Sequence, residues 1–495
     1  MEYLVKPWLH QTKAIEAARE LSNYGLFMEM GVGKTSTCIN ILREKYNANK
    51  GLMRTLIFCP PIVIENWKRE FGVHSKIPSE KITCLTGSGK QRLKIFKERS
   101  QEPHVFITNY EALNMDELYN AFVEWDAQAV VCDESHRLKS YTSKRSKLME
   151  RLVNGRMQYD KRTGVYSGPR PYVYILSGSP ILNSPMDIFQ QYKILDAGKT
   201  FSGNFFAFRA RYFRDKNAGM NRQNYFPNWV TIPGALEEIG EKLKANSMRV
   251  LKKDCMDLPP FIRQVIVAEM APEQRKLYNS MLEDYVAYFT QDGKEHVTSA
   301  TLAITKGLRL MQLASGYVKA VEDKEVNVCQ GMNPKQEILK ELLEELVVEQ
   351  KHKVIVWASW KANYEHIREV IDLLKIKHVE VTGEVSQTNK IKAVEEFTNG
   401  DAQVFLGHPA SSGIGINLVE AGYAIFYSRN FSLEQDQQAE ARNFRGGTEK
   451  LHKSVTRIDI ITKDSIEEQI AEALLRKEDI GVKILREITL EARKP

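Results

Sequence analysis

Short apolar runs alternate with amphipathic stretches along the first 200 residues. The runs are Gly25–Met30, Thr55–Cys59, Val105–Thr108, Ala129–Cys132 and Val173–Leu176. Short apolar runs that are separated by helical periodicity are typical of strands buried on both faces. This part of the chain therefore predicts a parallel β-sheet covered by helices on both sides.

The pattern changes between residues 183 and 350 and then returns. Helices are predicted at Leu243–Leu251, Pro272–Phe289 and Lys335–Val348, with few strand signals between them. Strands follow at Lys353–Trp357, His378–Val381, Gln403–Leu406, Tyr423–Tyr427 and Arg457–Ile461, and a last helix at Ser465–Ile488. The predicted layout is a first α/β lobe (1–200), a mostly helical insert and linker (201–333), a second α/β lobe (334–464) and a C-terminal helical brace (465–495).

Composition places the chain among ordinary globular proteins. Its 495 residues, 43% hydrophobic and 27% charged, argue against a disordered or collagen-like chain. No run of 18 apolar residues and no secretory signal is found, so we expect no membrane association. The six cysteines are far apart, which favours reduced thiols. The net charge of +7 mildly favours a polyanionic partner.

The first chemical motif is MEMGVGKTST at residues 28–37. Gly31 and Gly33 would let the backbone curl so that its N–H groups face phosphate oxygens. Lys34 would contact the β and γ phosphates, and the Thr35 hydroxyl would hold Mg²⁺. Met28 replaces the first glycine of the strict phosphate-loop pattern. We interpret the motif as a nucleotide-binding loop, the alternative being an ordinary glycine-rich turn.

The second motif is AVVCDESH at residues 129–136, in which a strand ends on two carboxylates. The carboxyl ends of parallel strands are where ligands bind in such sheets. Asp133 would hold Mg²⁺, and Glu134 would orient and deprotonate an attacking water. His136 is a candidate relay to neighbouring motifs. The alternative is a solvated strand end.

The third motif is QAEARNFR at residues 438–445. On a helix, Gln438, Arg442 and Arg445 would share one face. Two such arginines would stabilise a γ-phosphate. The spacing alone favours the alternative, a basic stripe facing solvent.

In sequence order, these and further motifs resemble those of a Swi/Snf-type DNA translocase of helicase superfamily two. The resemblance covers residues 3–475 and rests on these segments: PWLHQ (7–11), MEMGVGKT (28–35), LIFCPPIVIENWKREF (56–71), ITNYEAL (107–113), DESHRLKS (133–140), LSGSPILNSP (176–185), SMRVLKKDCMDLPP (247–260), KVIVWASWKANYEHI (353–367), SSGIGINLVEA (411–421) and QAEARNFRGGTEK (438–450). His408-Pro409 and Gly447 depart from the usual family residues.

The resemblance implies two RecA-like parallel-sheet lobes in tandem that enclose ATP and Mg²⁺. The implied nucleotide-binding residues are Gln11, Gly31, Val32, Gly33, Lys34, Thr35, Ser36 and Gly415. The implied metal-binding residues are Thr35, Asp133 and Glu134, and the implied coupling residues are His136, Ser177 and Ser179. Gln438, Arg442 and Arg445 would act in hydrolysis with Lys34 and Glu134.

The implied activity is ATP-driven translocation on double-stranded DNA without strand separation. Candidate DNA contacts are Lys68, Arg69, Asn109, Lys139 and Ser412, together with the basic stretch 199–222. Two alternatives remain: a strand-separating helicase in which the 154–172 insert acts as a pin, or an ATP-switch subunit of a restriction or defence complex. The chain's size suggests a minimal phage or bacterial motor with a target-setting protein partner. It would act in the cytoplasm, or in the nucleus of a eukaryote.

Overall fold

The computed structural model describes residues 3–160, 165–219, 227–291, 307–319, 325–329, 331–383, 385, 387–410 and 416–485. The chain divides into two compact units. The first comprises Met1–Lys216, Asn228–Met256 and Lys477–Pro495, and the second comprises Asn217–Pro227 and Asp257–Arg476.

The first unit is built on a seven-stranded, fully parallel sheet. Its strands are β1 (Asn23–Met28), β2 (Thr55–Cys59), β3 (Ile82–Cys84), β4 (Val105–Asn109), β5 (Ala129–Asp133), β8 (Tyr172–Leu176) and β11 (Ser247–Val250). They lie in the order β11-β1-β8-β5-β2-β4-β3. The first unit also contains two separate antiparallel pairs: β6 (Gln158–Asp160) with β7 (Val165–Ser167), and β9 (Phe213–Asp215) with β10 (Trp229–Thr231).

Helices cover both faces of this sheet. They are α1 (Leu9–Arg19), α2 (Lys34–Ala48), α3 (Ile64–His74), α4 (Gly89–Arg99), α5 (Asp116–Trp125), α6 (Lys144–Asn154), α7 (Asp187–Asp196), α8 (Phe205–Tyr212), α9 (Ala235–Leu243) and α10 (Lys252–Cys255). Successive residues of β5 enter different cores, because strand side chains alternate between faces. Val130 and Cys132 join one apolar cluster, whereas Ala129 and Val131 join the other.

The second unit repeats this plan with six parallel strands. They are β12 (Phe261–Ala268), β15 (Val354–Trp357), β16 (His378–Val381), β17 (Val404–Gly407), β18 (Tyr423–Phe426) and β19 (Val455–Thr462), in the order β12-β19-β18-β15-β17-β16. An antiparallel pair, β13 (Tyr317–Lys319) with β14 (Glu325–Asn327), lies outside the sheet. Val354 and Val356 enter one core, and Ile355 and Trp357 enter the other.

The remaining helices are α11 (Pro272–Gln291), α12 (Pro334–Leu343), α13 (Lys361–Leu373), α14 (Gln387–Asn399), α15 (Leu433–Glu440) and α16 (Ile466–Leu485), of which residues 477–485 belong to the first unit. Residues 307–314 are also helical, and a π-helical turn, Glu344–Glu349, continues α12. The predicted fold class, two parallel-sheet α/β units in tandem with a C-terminal helix, is confirmed.

The segment between the predicted lobes contains strands that belong to both sheets. The helix predicted at Leu243–Leu251 is wrong: α9 ends at Leu243, and Ser247–Val250 pairs with β1. Phe261–Ala268 likewise pairs with β19 over eight residues. Residues 201–333 therefore supply an edge strand to each unit as well as helices.

Within the described ranges, no helix is long and apolar enough to span a bilayer. The same residues contain no group of three or more His, Cys, Asp or Glu side chains arranged to hold a metal ion.

Candidate nucleotide site

The phosphate loop joins the end of β1, at Met28, to the start of α2, at Lys34. Gly31 and Gly33 have φ angles of 88° and 84°, a left-handed conformation that favours glycine. Lys34 follows directly, and its ammonium donates a hydrogen bond to the Met28 carbonyl oxygen across 2.9 Å. The loop thus has the curled backbone and the helix amino terminus that suit a bound phosphate.

Gln11 braces this loop from α1. Its Oε1 accepts a hydrogen bond from the Trp8 backbone N–H at 2.8 Å, and its Nε2 donates to Ser36 Oγ at 3.1 Å. A methyl group on Gly33 would lie 2.1 Å from Gln11 Nε2, so any larger residue there would displace the Gln11 amide as well as strain the backbone. His10 Nε2 lies 2.9 Å from the Val32 carbonyl oxygen. Each amide atom of Gln11 therefore makes one hydrogen bond to protein, which leaves one N–H and one oxygen lone pair for a further contact.

Thr35 occupies the second position of α2, and Val32 is fully buried. The Ser36 hydroxyl donates to the Gly33 carbonyl oxygen at 2.9 Å. The first turn of α2 is consequently tied to the loop by a side chain as well as by the backbone.

Asp133 and Glu134 follow β5. Asp133 is buried: its Oδ2 accepts a hydrogen bond from the Trp67 indole Nε1–H at 2.8 Å, and its Oδ1 accepts the Glu134 N–H at 2.9 Å. Burial first, and then the charge of Glu134, raise the pKa of Asp133 to about 6. Glu134 has a φ of 50°, which turns the chain sharply at this point. Sequence reasoning missed Trp67, whose partner lies 66 residues away.

The residues predicted to couple the site to neighbouring motifs lie beside these carboxylates. His136 Nδ1 is 3.1 Å from Ser177 Oγ and 3.4 Å from Glu134 Oε2. The Ser177 hydroxyl also accepts the Ser179 N–H at 3.1 Å. This contact follows from strand order, because β8 lies between β1 and β5. A Cβ on Gly178 would be 3.9 Å from Lys34 Nζ, so the ends of all three strands meet.

The predicted helix that would carry both arginines is wrong. α15 ends at Glu440, and the following residues form turns in which the Arg442 N–H donates to the Ala439 carbonyl oxygen at 3.2 Å. Gln438 lies on the helix, with its Nε2 3.0 Å from Glu434 Oε1. Arg442 and Arg445 instead follow the helix, and burial lowers the pKa of Arg445.

A buried ion cluster holds α15 in the second unit. Arg457, on β19, is 1% exposed and donates to Asp436 and Glu440 at 2.9–3.0 Å, and to Asp459. Its guanidinium lies 3.8 Å from the centre of the Phe426 ring. Asp436 and Glu440 are one helical turn apart, so a single arginine fixes two turns of α15. Sequence reasoning did not identify this cluster.

The candidate DNA contacts differ in availability. Lys68 and Arg69 are exposed on α3. Asn109 is buried, and its Oδ1 accepts a hydrogen bond from Arg92 at 2.7 Å. Lys139 Nζ lies 3.9 Å from Asp187 Oδ2. Ser412, like the nucleotide-site candidate Gly415, lies outside the described residues.

Family models match most of the chain. The SNF2-related domain matches residues 10–315, and the helicase conserved C-terminal domain matches residues 334–447. Putative protein p41 of Acyrthosiphon pisum secondary endosymbiont phage 1 is 25% identical, covering 99% of this chain and 98% of that protein.

Other relatives are longer. The Danio rerio chromodomain-helicase-DNA-binding protein 1-like is 23% identical over 89% of this chain, and the uncharacterized ATP-dependent helicase MG018 of Mycoplasma genitalium is 24% identical over 93%. The chain spans 40% of the length of each.

A solved SWI2/SNF2 ATPase core of Sulfolobus solfataricus in complex with dsDNA is 20% identical, with a TM-score of 0.42, and the match covers 98% of this chain and 97% of that one. Because the SNF2-related domain model alone matches more than half of the chain, the protein belongs to the SNF2-related family, as its resemblance to Swi/Snf-type translocases indicated.

Proposed function

We propose that this chain is a DNA-dependent ATPase that couples ATP hydrolysis to translocation on double-stranded DNA, remodelling DNA or protein–DNA complexes. The observation that carries this proposal is the meeting of Lys34, the Asp133–Glu134 pair and Ser177 at the carboxyl ends of β1, β5 and β8. Ligands of open parallel sheets bind at this edge.

The first unit binds the nucleotide. The loop backbone from Gly31 to Gly33 faces the phosphates, and Lys34 exchanges its bond to Met28 for phosphate oxygens. Ser36 and Gln11 hold the loop in shape, and Gln11 contacts the base through the N–H and the oxygen lone pair that its present partners leave available.

The donor set beside the loop suits Mg²⁺. Thr35 offers a hydroxyl oxygen, Asp133 and Glu134 offer carboxylates, and hard oxygen ligands are the ones magnesium prefers. When bound with ATP, the ion would neutralise charge on the phosphates. Asp133 is suited to hold it because both carboxylate oxygens are already oriented by hydrogen bonds.

Glu134 orients and deprotonates the attacking water, and its neighbour His136 links it to Ser177. Ser177 and Ser179, which are hydrogen-bonded to each other directly after β8, would couple changes at the nucleotide to that strand. The family resemblance assigns Gln438, Arg442 and Arg445 to the hydrolysis step, in which two arginines would stabilise charge on the γ-phosphate.

DNA is contacted through its phosphates, which suits a motor without sequence preference. The exposed Lys68 and Arg69 on α3 are the best-placed candidates, whereas Asn109 would first have to leave Arg92. We also propose that a protein partner sets the target. The 98% coverage of a phage protein favours a bacterial or phage-infected host cytoplasm, and a eukaryotic source would place the protein in the nucleus.

Steady-state ATPase assays at low salt test this function, with no nucleic acid, single-stranded DNA, double-stranded DNA or RNA added. Duplex DNA should stimulate hydrolysis strongly, and Lys34→Ala and Glu134→Gln should abolish it. Stimulation should fall steeply between roughly 50 and 200 mM salt, because phosphate contacts release counterions. Preference for single strands or RNA would favour a strand-separating helicase, and no stimulation would favour an ATP-switch subunit.

A further inference from the structure

Trp67 contacts the candidate nucleotide site from α3, a helix that supplies none of the predicted nucleotide-binding residues. It lies on α3, is fully buried, and its indole N–H donates to Asp133 Oδ2 at 2.8 Å. The other oxygen of the same carboxylate accepts the Glu134 backbone N–H at 2.9 Å. Each oxygen of the Asp133 carboxylate therefore already accepts one hydrogen bond.

This arrangement limits how the carboxylate can turn. A carboxylate oxygen accepts through two lone pairs, and a buried group with one bond on each oxygen has a single orientation that keeps both. The indole N–H is a donor only, so it cannot reverse its role. The lone pairs left over are those that a ligand can use.

The indole itself is held firmly. Trp67 packs on Phe71, one helical turn away, with ring centroids 6.2 Å apart, and both residues belong to the apolar core of the same sheet face. Strand β2, which precedes α3, pairs directly with β5, which carries Asp133. Donor and acceptor therefore belong to one rigid block.

We propose that Trp67 is a positioning residue that sets the orientation in which Asp133 binds the divalent cation of the cation–nucleotide complex. This inference rests on the proposed function and assigns the indole N–H a role in cation affinity beyond packing. Groups that orient a metal ligand in this way commonly change metal affinity 10- to 100-fold when they are removed.

The chain offers a matched control. Trp67→Phe removes the N–H and keeps an aromatic ring, whereas Phe71→Leu perturbs the same helix and the same core without touching Asp133. Mn²⁺ affinity, measured by electron paramagnetic resonance in the presence of ADP, reads the site without any turnover. We expect Trp67→Phe to weaken Mn²⁺ binding about 10-fold and Phe71→Leu to leave it within about twofold of wild type.

A double-mutant comparison separates positioning from packing. In an Asp133→Asn background, Trp67→Phe should cause no further loss, because the oriented carboxylate is already absent. Benzothienylalanine at position 67, which keeps the bicyclic shape without the N–H, should reproduce the 10-fold loss even if Trp67→Phe fails to fold.

Equal Mn²⁺ affinities for Trp67→Phe and Phe71→Leu would overturn the inference, as would an unchanged affinity with benzothienylalanine or a loss that persists beside Asp133→Asn. If any of these variant results is found while the wild-type protein still hydrolyses ATP, the proposed function stays intact. Wild-type protein that binds no Mn²⁺–ADP would overturn both.

Discussion

The ammonium of Lys34 is hydrogen-bonded to the carbonyl oxygen of Met28, 2.9 Å away, across the loop that separates β1 from α2. It also lies 3.5 Å from the Glu29 carbonyl oxygen. The positive charge of Lys34 is therefore held beside the loop by two uncharged carbonyl oxygens. A phosphate, as a charged acceptor, makes the stronger bond, so the lysine can transfer to it readily.

We expect Lys34→Ala to reduce ATP hydrolysis by at least about 100-fold, since losing one preorganised donor to transition-state charge costs that much. The change should leave thermal unfolding nearly unaltered, because the lost bonds are only to backbone carbonyls. Hydrolysis and nucleotide binding measured beside Lys90→Ala, an exposed lysine on α4, check this. Near-normal turnover in Lys34→Ala would contradict it.

Gly33→Ala should abolish nucleotide binding. The added methyl group would meet Gln11 Nε2 at 2.1 Å, and the φ of 84° costs a residue with a side chain about 1–3 kcal/mol. Isothermal titration with ATP should show no binding and calorimetry a lower melting temperature. Gly51→Ala, where a methyl group meets nothing within 4 Å, is the matched control. Normal binding by Gly33→Ala would show that the brace between Gln11 and the loop is dispensable.

The stability of the first unit should fall on mild acidification through His104. Burial first, and then Arg99 and Lys81, lower the pKa of this side chain from 6.5 to about 4. Between these two values the unfolded chain binds a proton and the folded chain does not. The free energy of unfolding therefore decreases as the pH falls from 6.5 towards 4.

His104→Phe keeps the stacking on Phe106, whose ring centroid is 4.5 Å away, and removes the titration. The drop in melting temperature between pH 7 and pH 5 should then be smaller than in wild type. His378→Phe, in the second unit, serves as the control. An identical drop in wild type and His104→Phe would refute the assignment.

Arg457→Met should destabilise the second unit by about 3–5 kcal/mol, because it removes the most buried counter-charge of Asp436, Glu440 and Asp459 and leaves Arg429 and Arg263 as their remaining partners. Although burial raises the pKa of Asp436, Arg457 and Arg429 hold it below its usual value, so the carboxylate is ionised. Arg457→Lys should cost less, because it keeps the charge but loses the planar fork.

Differential scanning calorimetry of both variants beside Arg476→Met, an exposed arginine on α16, measures the effect. A change no larger than that of Arg476→Met would mean that the ion cluster adds nothing to the stability of the second unit.

Most strands could be predicted because each is a short apolar run bounded by residues that end a strand, such as proline or glycine. Thr55–Cys59 is a strand followed by two prolines, as the sequence indicates. Ser247–Val250 could not be predicted this way, because its strand conformation depends on pairing with β1, more than 200 residues earlier. Local propensity carries no record of such pairing.

The candidate site was predictable to the same degree. Lys34, Asp133 and Glu134 stand in motifs whose chemistry is local. The contacts that orient them are not local. Trp67 and Asp133 are 66 residues apart in sequence, and Gln11 and Ser36 are 25 residues apart, so only the fold brings them together. The helix predicted to carry Arg442 and Arg445 was wrong because residue spacing shows which positions would share a helix face but not where the helix ends, and α15 ends at Glu440.

The hairpin of β6 and β7 enters β8 at its amino end, Tyr172, whereas Ser177 follows the carboxyl end. A five-residue strand separates these ends by about 16 Å. An affinity tag or fluorophore attached at Gly168 or Pro169, which are exposed between β7 and β8, would accordingly lie near the end of β8 opposite Ser177. This end of the sheet can therefore carry a label, or a longer loop in a relative, without changing the residues of the candidate nucleotide site at the other end of β8.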